Sequence, residues 1–341
     1  MANKVVTFGE IMLRLTPPNY LRFVQAESFD VTYGGGEANV AVSLANFGED
    51  AYFVTKVPDN PIGQAAINHL RRYGVKTDYI LKGGERLGIY FNEIGASQRP
   101  SVVVYDRSHS SISEAKPEEF DWDKIFEGAK WFHFTGITPA LSDNMAQACL
   151  DAVKKAKGKG ITVSCDLNYR KKLWSKEKAN KVMSELIKYV DYAIGNEEDA
   201  EMVFGIKASS SDVTKGELNE EGYKEVAKEL LERFSLKGVA ITLRESFSAF
   251  DNGWSALYYD GEDYYRSRRY MIHIIDRVGG GDSFAGGLIY ALLNNYTPKD
   301  AVEFAVAASC LKHTVMGDFN HVTLSEVTAL MKGDASGRVQ R

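Results

Sequence analysis

Cysteine and histidine are scarce in this chain of 341 residues, which contains 3 cysteines and 6 histidines. The cysteines lie far apart and form no CxxC pair, so neither a disulfide framework nor a cysteine-based zinc site is supported. The histidines show no HxxxH or HExxH spacing, which argues against a histidine-rich metal site. This composition fits a reducing, cytoplasmic setting.

Long apolar runs and an excess of positive charge are also missing. No stretch approaches about 18 uninterrupted apolar residues, so we expect no membrane span. Glu10 and Arg14 interrupt the apolar N-terminus, and we expect no targeting segment there. The formal net charge of −5 provides no basic field for nucleic acid or an anionic membrane. The length suggests two domains or one large one, and the 44% of hydrophobic residues is ordinary for a globular protein.

Short apolar strands alternate with amphipathic helices along most of the chain. This alternation favours a parallel sheet that is covered by helices on both faces. The predicted strands are 5–9, 51–57, 131–136, 161–167, 191–196 and 239–244, and the clearest predicted helices are 36–48 and 61–74.

Two segments break this rhythm and alternate between apolar and polar residues with period 2. We predict that they form a small second sheet inserted into the α/β body. The predicted boundaries are 1–10, 34–85 and 108–331 for the body, 11–33 and 86–107 for the second sheet, 206–219 for a polar loop within the body and 332–341 for a frayed tail.

The sharpest motif is a run of three glycines before a predicted helix, Gly279, Gly280 and Gly281. Backbone N–H groups of glycines at a helix N-terminus form an anion site that suits a phosphate. Asp282 follows directly, and a carboxylate at this place would repel a phosphate. Its chemistry fits a proton acceptor for a hydroxyl that attacks the phosphate. A glycine-rich turn whose aspartate only stabilises the helix start is the structural alternative.

A second glycine cluster precedes the predicted helix 36–48. Gly34 and Gly35 allow a polar ligand to approach the backbone closely, and Asn39 lies one turn into the helix. A strand-to-helix turn that needs a positive φ is the alternative. The P-loop, the GxGxxG fingerprint and the HRD and DFG motifs of protein kinases are all missing from the sequence.

The two motifs, GGGEANVAVSLANFG and DRVGGGDSFAGG, together resemble the ribokinase-like (PfkB) carbohydrate kinases. The resemblance extends from the first strand to about residue 331. The usual second motif of the family is D-x-x-G-A-G-D, and Gly280 keeps its small residue in place of alanine. The resemblance implies a Rossmann-like three-layer α/β/α sandwich with a small β-sheet lid. It also implies that Asp282 is the catalytic base and that Gly279, Gly280 and Gly281 form the anion hole.

Four segments are similar to the 2-keto-3-deoxygluconate kinases of this family: GIYFNEI, RPSVVVYDR, DLNYRKKLW and DRVGGGDSF. Arg107 and Arg170 suit a sugar acid, because a guanidinium binds a carboxylate bidentately. Arg170 also follows a predicted strand at its carboxyl end, where open α/β sheets bind ligands. A solvated lid charge is the alternative for Arg107, and a surface salt bridge is the alternative for Arg170. The resemblance implies that the sugar contacts Gly34, Gly35, Asn39, Tyr90, Tyr105, Arg107, Arg170 and Asp282.

The nucleotide side is marked less sharply. The N-x-x-E element of the family reads N-E-E-D here, at 196–199, and its T-x-G element reads T-L-R, at 242–244. Mg²⁺ is usually held with retained waters and substrate phosphates, so a weak protein signature suffices. The resemblance implies that Glu198 and Asp199 hold Mg²⁺ through water. It also implies that ATP contacts Asn168, Asn196, Thr242, Arg244, Glu245, Gly279, Gly281 and Asn320. A role for a monovalent cation such as K⁺ stays open.

We therefore expect a cytoplasmic ATP-dependent kinase that phosphorylates 2-keto-3-deoxy-D-gluconate on its C6 hydroxyl. The resemblance also implies a homo-oligomer, a dimer through the lid. A neutral-sugar kinase of the fructokinase or ribokinase type is the nearest alternative, and a catalytically idle sugar-acid sensor on the same fold is another. The sequence leaves the galactonate epimer, the nucleotide specificity and the adenine contacts open.

Overall fold

The computed structural model describes residues 2–196, 198–207, 220–334 and 337. The strands are β1 (Lys4–Phe8), β2 (Met12–Thr16), β3 (Asp30–Gly34), β4 (Asp50–Val57), β5 (Ile80–Lys82), β6 (Gly88–Glu93), β7 (Val102–Asp106), β8 (Ala129–Thr135), β9 (Thr162–Asp166), β10 (Tyr192–Asn196), β11 (Gly238–Ser246), β12 (Asp251–Tyr259), β13 (Tyr264–Arg266) and β14 (Tyr270–His273). The α-helices are α1 (Gly36–Asn46), α2 (Pro61–Arg72), α3 (Trp122–Ile125), α4 (Asp143–Gly158), α5 (Lys176–Leu186), α6 (Asp199–Phe204), α7 (Glu220–Phe234), α8 (Gly280–Leu293), α9 (Pro298–Lys312) and α10 (Leu324–Met331).

A ten-stranded sheet forms the centre of the body. Its order is β13-β12-β11-β10-β9-β8-β1-β4-β5, with β14 paired to β12. All neighbours from β5 to β11 run parallel, whereas β12, β13 and β14 add an antiparallel edge. Parallel strands bring their carboxyl ends to one edge of the sheet, which is where open α/β sheets bind ligands.

Helices cover both faces of this sheet, so the predicted three-layer α/β/α architecture is confirmed. Side chains alternate between two apolar cores along each strand. Val5 and Phe53 face the core that contains α1, α2, α8, α9 and α10. Val6 and Val54 face the core that contains α3 to α7.

Local capping determines where α2 begins and ends. The Asn60 side chain accepts hydrogen bonds from the N–H groups of Ile62 and Gly63, and Pro61 occupies the first turn, where its missing N–H costs nothing. The chain leaves the helix through Gly74, whose φ is +81°. The sequence predicted this helix over 61–74, two residues longer than the observed helix.

A separate four-stranded sheet is formed by the two inserted segments, in the order β3-β2-β6-β7. Arg14 of β2 pairs with Tyr90 of β6, and Tyr90 pairs with Tyr105 of β7. These residues therefore form a row across the sheet, on the face of β2 that is buried. The role of this sheet as a lid stays a prediction.

Parts of two predicted segments lie outside the described residues. These are 208–219 of the polar loop, and 335, 336 and 338–341 of the tail. In the described part of the chain, no helix has the length and apolar character that crossing a membrane requires.

Candidate active site

A pocket with a cavity volume of about 380 Å³ lies at the carboxyl edge of the parallel strands, beside the four-stranded sheet. Both sheets contribute to its lining, and so does the start of α8. Most of the predicted site residues therefore meet in one place. Those that line the pocket are Gly35, Asn39, Tyr90, Tyr105, Arg107, Asn168, Arg170, Asn196, Asp199, Thr242, Arg244, Gly279, Gly280, Gly281 and Asp282.

Asp282 lies in the first turn of α8 and is held by a neighbouring helix. The Asn39 side chain, on α1, donates a hydrogen bond of 2.7 Å to Oδ2 of Asp282. Asn39 Oδ1 accepts a bond from the N–H of Gly35 at 3.3 Å, which orients the amide. Asn39 was predicted to contact the sugar, but in this structure it positions the candidate base. Its contact with a sugar stays a prediction.

The environment of Asp282 raises its pKa from 3.8 to about 7. Desolvation is the largest cause, and the nearby carboxyls of Asp318 and Glu37 act in the same direction. The hydrogen bond from Asn39 and the charge of Arg170 oppose the shift. A carboxyl with a pKa near neutrality is well matched to accept a proton at physiological pH.

The glycine run forms the start of α8, with Gly279 at the N-cap position. Its φ of +84° belongs to the left-handed region, which glycine enters at little cost. A Cβ at Gly279 would lie 2.0 Å from the carbonyl oxygen of Asp318, so a side chain has no room there. The Gly280 N–H already donates to the Arg277 carbonyl, through a long bond of 3.3 Å. The predicted anion hole therefore has one of its three donors partly engaged.

The two tyrosines from the four-stranded sheet differ in exposure. Tyr90 is buried, and its hydroxyl donates to the Asp318 carboxylate, with oxygen distances of 2.6 and 2.5 Å. Tyr105 is 40% exposed, and its ring lies 5.9 Å from that of Tyr90. The hydroxyl proton of Tyr90 is committed to Asp318, which leaves its lone pairs and ring for a ligand.

The two predicted carboxylate ligands, Arg107 and Arg170, also differ. Arg107 forms an ion pair with the buried carboxylate of Glu10, and its guanidinium lies 5.4 Å from the Tyr105 ring. Arg170 is exposed to the pocket, and no carboxylate of the described residues lies within ion-pair distance of it. Arg107 was predicted as a second cation for a sugar acid. Glu10 balances the charge of Arg107, whereas Arg170 has no such ion-pair partner among the described residues.

Four predicted residues do not line this pocket. Each has a different reason, which the contacts make plain. Gly34 packs against the Asp318 carboxylate, Glu245 pairs with Arg269 at 2.7 Å, the buried Asn320 donates to Ser283 Oγ at 2.7 Å, and Glu198 lines an adjoining cavity with Arg170, Lys171 and Lys172.

The Asp199 carboxylate is engaged by the backbone. Its two oxygens accept hydrogen bonds from the N–H groups of Tyr169 and Asn196, at 2.9 and 3.0 Å. These bonds tie together the turns that follow β9 and β10. Asp199 thus shapes the pocket edge, and a metal role for Asp199 and Glu198 stays a prediction.

Several pocket residues were not predicted. Asp166 ends β9, and desolvation, together with the carboxyls of Asp199 and Asp282, holds its pKa well above the usual range. The strand-end rule that identified Arg170 could have identified Asp166 as well. Arg277 directly follows Asp276 of the second motif. Glu10 and Asp318 are identified only by contacts between distant segments, for which the sequence carries no local signal.

A glycine-lined helix start beside a carboxylate of raised pKa suits an enzyme that transfers a phosphoryl group to a hydroxyl. A family model confirms this class over most of the chain. Residues 2–322 match the pfkB family carbohydrate kinases, and the chain belongs to this family.

Individual relatives span the full length. A Thermotoga maritima crystal structure described as 2-dehydro-3-deoxygluconokinase is 58% identical, with a TM-score of 0.94, over 97% of this chain and 100% of that one. The 2-dehydro-3-deoxygalactonokinase of Haloferax volcanii is 32% identical over 99% of both chains. The 2-dehydro-3-deoxygluconokinase of Bacillus subtilis is 27% identical over 95% of this chain and 94% of its own.

Proposed function

We propose that the chain phosphorylates 2-keto-3-deoxy-D-gluconate, the compound also called 2-dehydro-3-deoxygluconate, on its C6 hydroxyl with ATP. The observation that carries this proposal is that Arg170, which forms no ion pair with a described residue, lines the same pocket as Asp282 and the glycine run. A neutral sugar has little use for such a cation, whereas a sugar acid does. The Thermotoga maritima relative supports the same substrate.

The proposed chemistry uses groups on both sides of the pocket. Asp282 accepts the proton of the C6 hydroxyl while the oxygen of that hydroxyl attacks the γ-phosphorus. The bond from this phosphorus to the β–γ bridging oxygen breaks, and ADP leaves. Asn39 keeps the carboxylate of Asp282 in place. The N-terminus of α8 faces the charge on the transferred group. Arg170 holds the far carboxylate, which determines which hydroxyl reaches Asp282.

We infer that Mg²⁺ enters this pocket with the nucleotide. Among the described residues, no group of three histidine, cysteine or acidic side chains could hold a metal ion alone. Mg²⁺ commonly relies on waters and substrate phosphates instead. The carboxyls of Asp199 and Asp282 raise the pKa of Asp166, and a cation that enters with the phosphates would reduce the repulsion among these groups. Its chemistry would be to neutralise charge on the phosphates.

The test is ATP consumption by the purified chain with Mg²⁺. The substrates compared are 2-keto-3-deoxygluconate, its galactonate epimer, gluconate, fructose and ribose. We expect a strong preference for a keto-deoxy acid. A preference for fructose or ribose would keep the role of Asp282 and overturn the role of Arg170. Ligand-induced stabilisation without turnover of any sugar would support the idle sensor instead.

The galactonate epimer is the second candidate substrate. The Haloferax volcanii relative, which covers the full length, is named for that epimer. The two acids differ in the configuration of one hydroxyl, and the position of the carboxylate is the same in both. The comparison of the two epimers in the same assay decides between them, and the ratio of their kcat/KM values is the readout.

The rate should depend on pH through Asp282. Its carboxyl must be ionised to accept a proton, and its pKa is raised to about 7. We therefore expect kcat/KM to fall about tenfold per pH unit below 7 and to level off above it. A profile between pH 5.5 and 8.5, taken at constant ionic strength, measures this. A flat profile across that range would contradict the assignment of the base.

We infer that the chain dimerises through the four-stranded sheet. The residues of this sheet that point away from the body leave an apolar face in water: Val31 and Val104 are 57% and 48% exposed. Contiguous exposed apolar surface of this kind marks interaction sites. We expect a mass of about twice 37.9 kDa in light scattering, and a monomer for Val104→Asp.

The control for this variant places the same charge on the body. Ile62 of α2 is 48% exposed and lies outside the four-stranded sheet. Ile62→Asp should leave the mass unchanged. A native monomer, or a dimer that both variants preserve, would overturn the proposed interface.

A further inference from the structure

A buried cluster of charges lies behind the pocket and connects the two sheets. The Arg14 guanidinium, on β2, contacts the carboxylate of Asp276 at 2.5 Å and that of Asp318 at 2.7 Å. All three side chains are almost inaccessible to water, with exposed fractions of 2 to 3%. Arg14 belongs to the four-stranded sheet, whereas both carboxylates belong to the body.

Tyr90 joins this cluster from the neighbouring strand β6. Its hydroxyl donates to the Asp318 carboxylate, with oxygen distances of 2.6 and 2.5 Å. On the third strand, β3, a Cβ at Gly34 would lie 2.0 Å from Oδ2 of Asp318. Three strands of the four-stranded sheet therefore contact one carboxylate of the body, and Tyr90 lines the pocket where we place the sugar.

The two aspartates also contact the segment that leads to the glycine run. The carboxylate of Asp276 accepts hydrogen bonds from the N–H groups of Val278 and Gly317, both at 3.1 Å. The main-chain carbonyl oxygen of Asp318 lies 2.0 Å from the position that a Cβ of Gly279 would take. A shift of either aspartate would therefore displace the phosphate-binding turn at the start of α8.

Lys312 adds a second basic side chain to this cluster. Lys312, which is fully buried, donates from Nζ to the carbonyl oxygens of Asp276 and Val315, both at 3.2 Å. The cluster thus contains two basic and two acidic side chains. Burial lowers the pKa of Lys312, and the carboxyls of Asp276 and Asp318 oppose that shift. A buried ion cluster contributes little net stability, because desolvation offsets the attraction between the charges. Its directed contacts are better explained by positioning than by stability.

We propose that Arg14 is a positioning residue that couples the four-stranded sheet to the phosphate-binding turn. The sugar acid orders the sheet through Tyr90, and Arg14 and Asp318 transmit that order to Val278 and Gly279. Linkage is reciprocal, so nucleotide at the turn must favour sugar binding by the same factor. This inference rests on the proposed function, since it assigns the sugar to the Tyr90 side of the pocket.

The test measures this linkage directly. Calorimetry gives the Kd of 2-keto-3-deoxygluconate with and without a non-hydrolysable ATP analogue and Mg²⁺. We expect nucleotide to lower this Kd by about fivefold or more in the native chain. The double variant Arg14→Met with Asp318→Asn removes one charge of each sign. In this variant the ratio of the Kd without nucleotide to the Kd with nucleotide should fall to about one.

A second readout needs no sugar. Hydrogen exchange of the amides over 278–285 reports the order of the turn, and we expect it to be about tenfold faster in the double variant. Arg14→Lys keeps the charge but has no fork to bridge two carboxylates. This single variant should lose the coupling as well, and it carries the test if the double variant does not fold.

The control breaks an ion pair of the same sheet elsewhere. Arg99 pairs with the buried Glu93 at 2.7 Å, and Arg99→Met should leave both readouts native. The proposal would be overturned if the Arg14 variants fold and keep native coupling and native exchange. It would also be overturned if nucleotide left the Kd of the sugar acid unchanged in the native chain. A native chain that binds no 2-keto-3-deoxygluconate would overturn the proposed function, while the exchange readout would still decide the role of Arg14.

Discussion

Asp282→Asn should lower kcat by about 10²–10⁴, the usual range for the loss of a general base. The amide has nearly the shape of the carboxylate but cannot accept the proton of the attacking hydroxyl. Because the side chain of Asn39 can still hold it through a hydrogen bond at this place, the pocket should keep its form. We therefore expect KM for the sugar acid and for ATP to change by only about two- to threefold.

A matched control is available at the start of another helix. Asp143 also lies in a first turn, that of α4, where it pairs with Lys178 in an exposed ion pair. Asp143→Asn should leave kcat unchanged, since it alters the same chemical group far from the pocket. Steady-state kinetics at pH 8, where Asp282 is largely ionised, makes the comparison. Near-native activity of Asp282→Asn would remove this residue from its assigned role.

The features that sequence alone could predict are those with local signals. The glycines that precede Asp282 predict the start of a helix, and in the structure α8 begins at Gly280. The alternation along 11–33 and 86–107 indicated strands, and β2, β3, β6 and β7 lie within these segments or reach one residue beyond them. In each case a few neighbouring residues determine the backbone conformation, and the sequence carries the pattern.

Side-chain partners could not be predicted in this way. Arg14 and Asp318 are 304 positions apart, and nothing near either residue indicates the other. The pairing of Arg107 with Glu10 spans 97 positions, and it changes the interpretation of a site residue. The folded chain determines which charges meet, so a motif identifies a site residue more readily than the charge that the residue presents to a ligand.

The shape of the pocket follows from the sheet. Seven parallel strands end at one edge of the sheet. Asp166 and Asn196 are the last residues of β9 and β10, and Thr242 of β11 lies beside Asn196. The inserted sheet approaches this edge from the other side. Polar groups from distant segments thus meet around one cavity, and a different substrate would need changes only in the side chains that line it.

Arg170→Ala should reduce kcat/KM for the sugar acid by about 10- to 150-fold. This range corresponds to about 1.5–3 kcal/mol, the contribution of a hydrogen bond to a charged group. Arg170 lines the pocket and forms no ion pair with a described residue. Its loss leaves the substrate carboxylate with the partly neutralised Arg107. The loss should be specific to the acid, and the already weak turnover of fructose should change little.

A second effect of this variant has to be separated from the first. The charge of Arg170 lowers the pKa of Asp282, so its removal raises that pKa and moves the acidic limb of the pH profile upward. Measuring kcat/KM at pH 8.5 as well as at 7 distinguishes the lost carboxylate contact, which persists at high pH, from a base that is partly protonated.

The neighbouring Lys172 supplies the control for Arg170→Ala. It lines the adjoining cavity with Arg170 but not the pocket that contains Asp282. Lys172→Ala removes a positive charge from the same turn and should lower kcat/KM by less than about threefold, as expected for an exposed charge.

Equal losses for Arg170→Ala and Lys172→Ala would mean that general attraction of an anion explains the effect. An equal loss for fructose would mean that Arg170 supports the shape of the pocket. A large loss confined to the acid and to Arg170 requires a direct contact between this guanidinium and the substrate carboxylate.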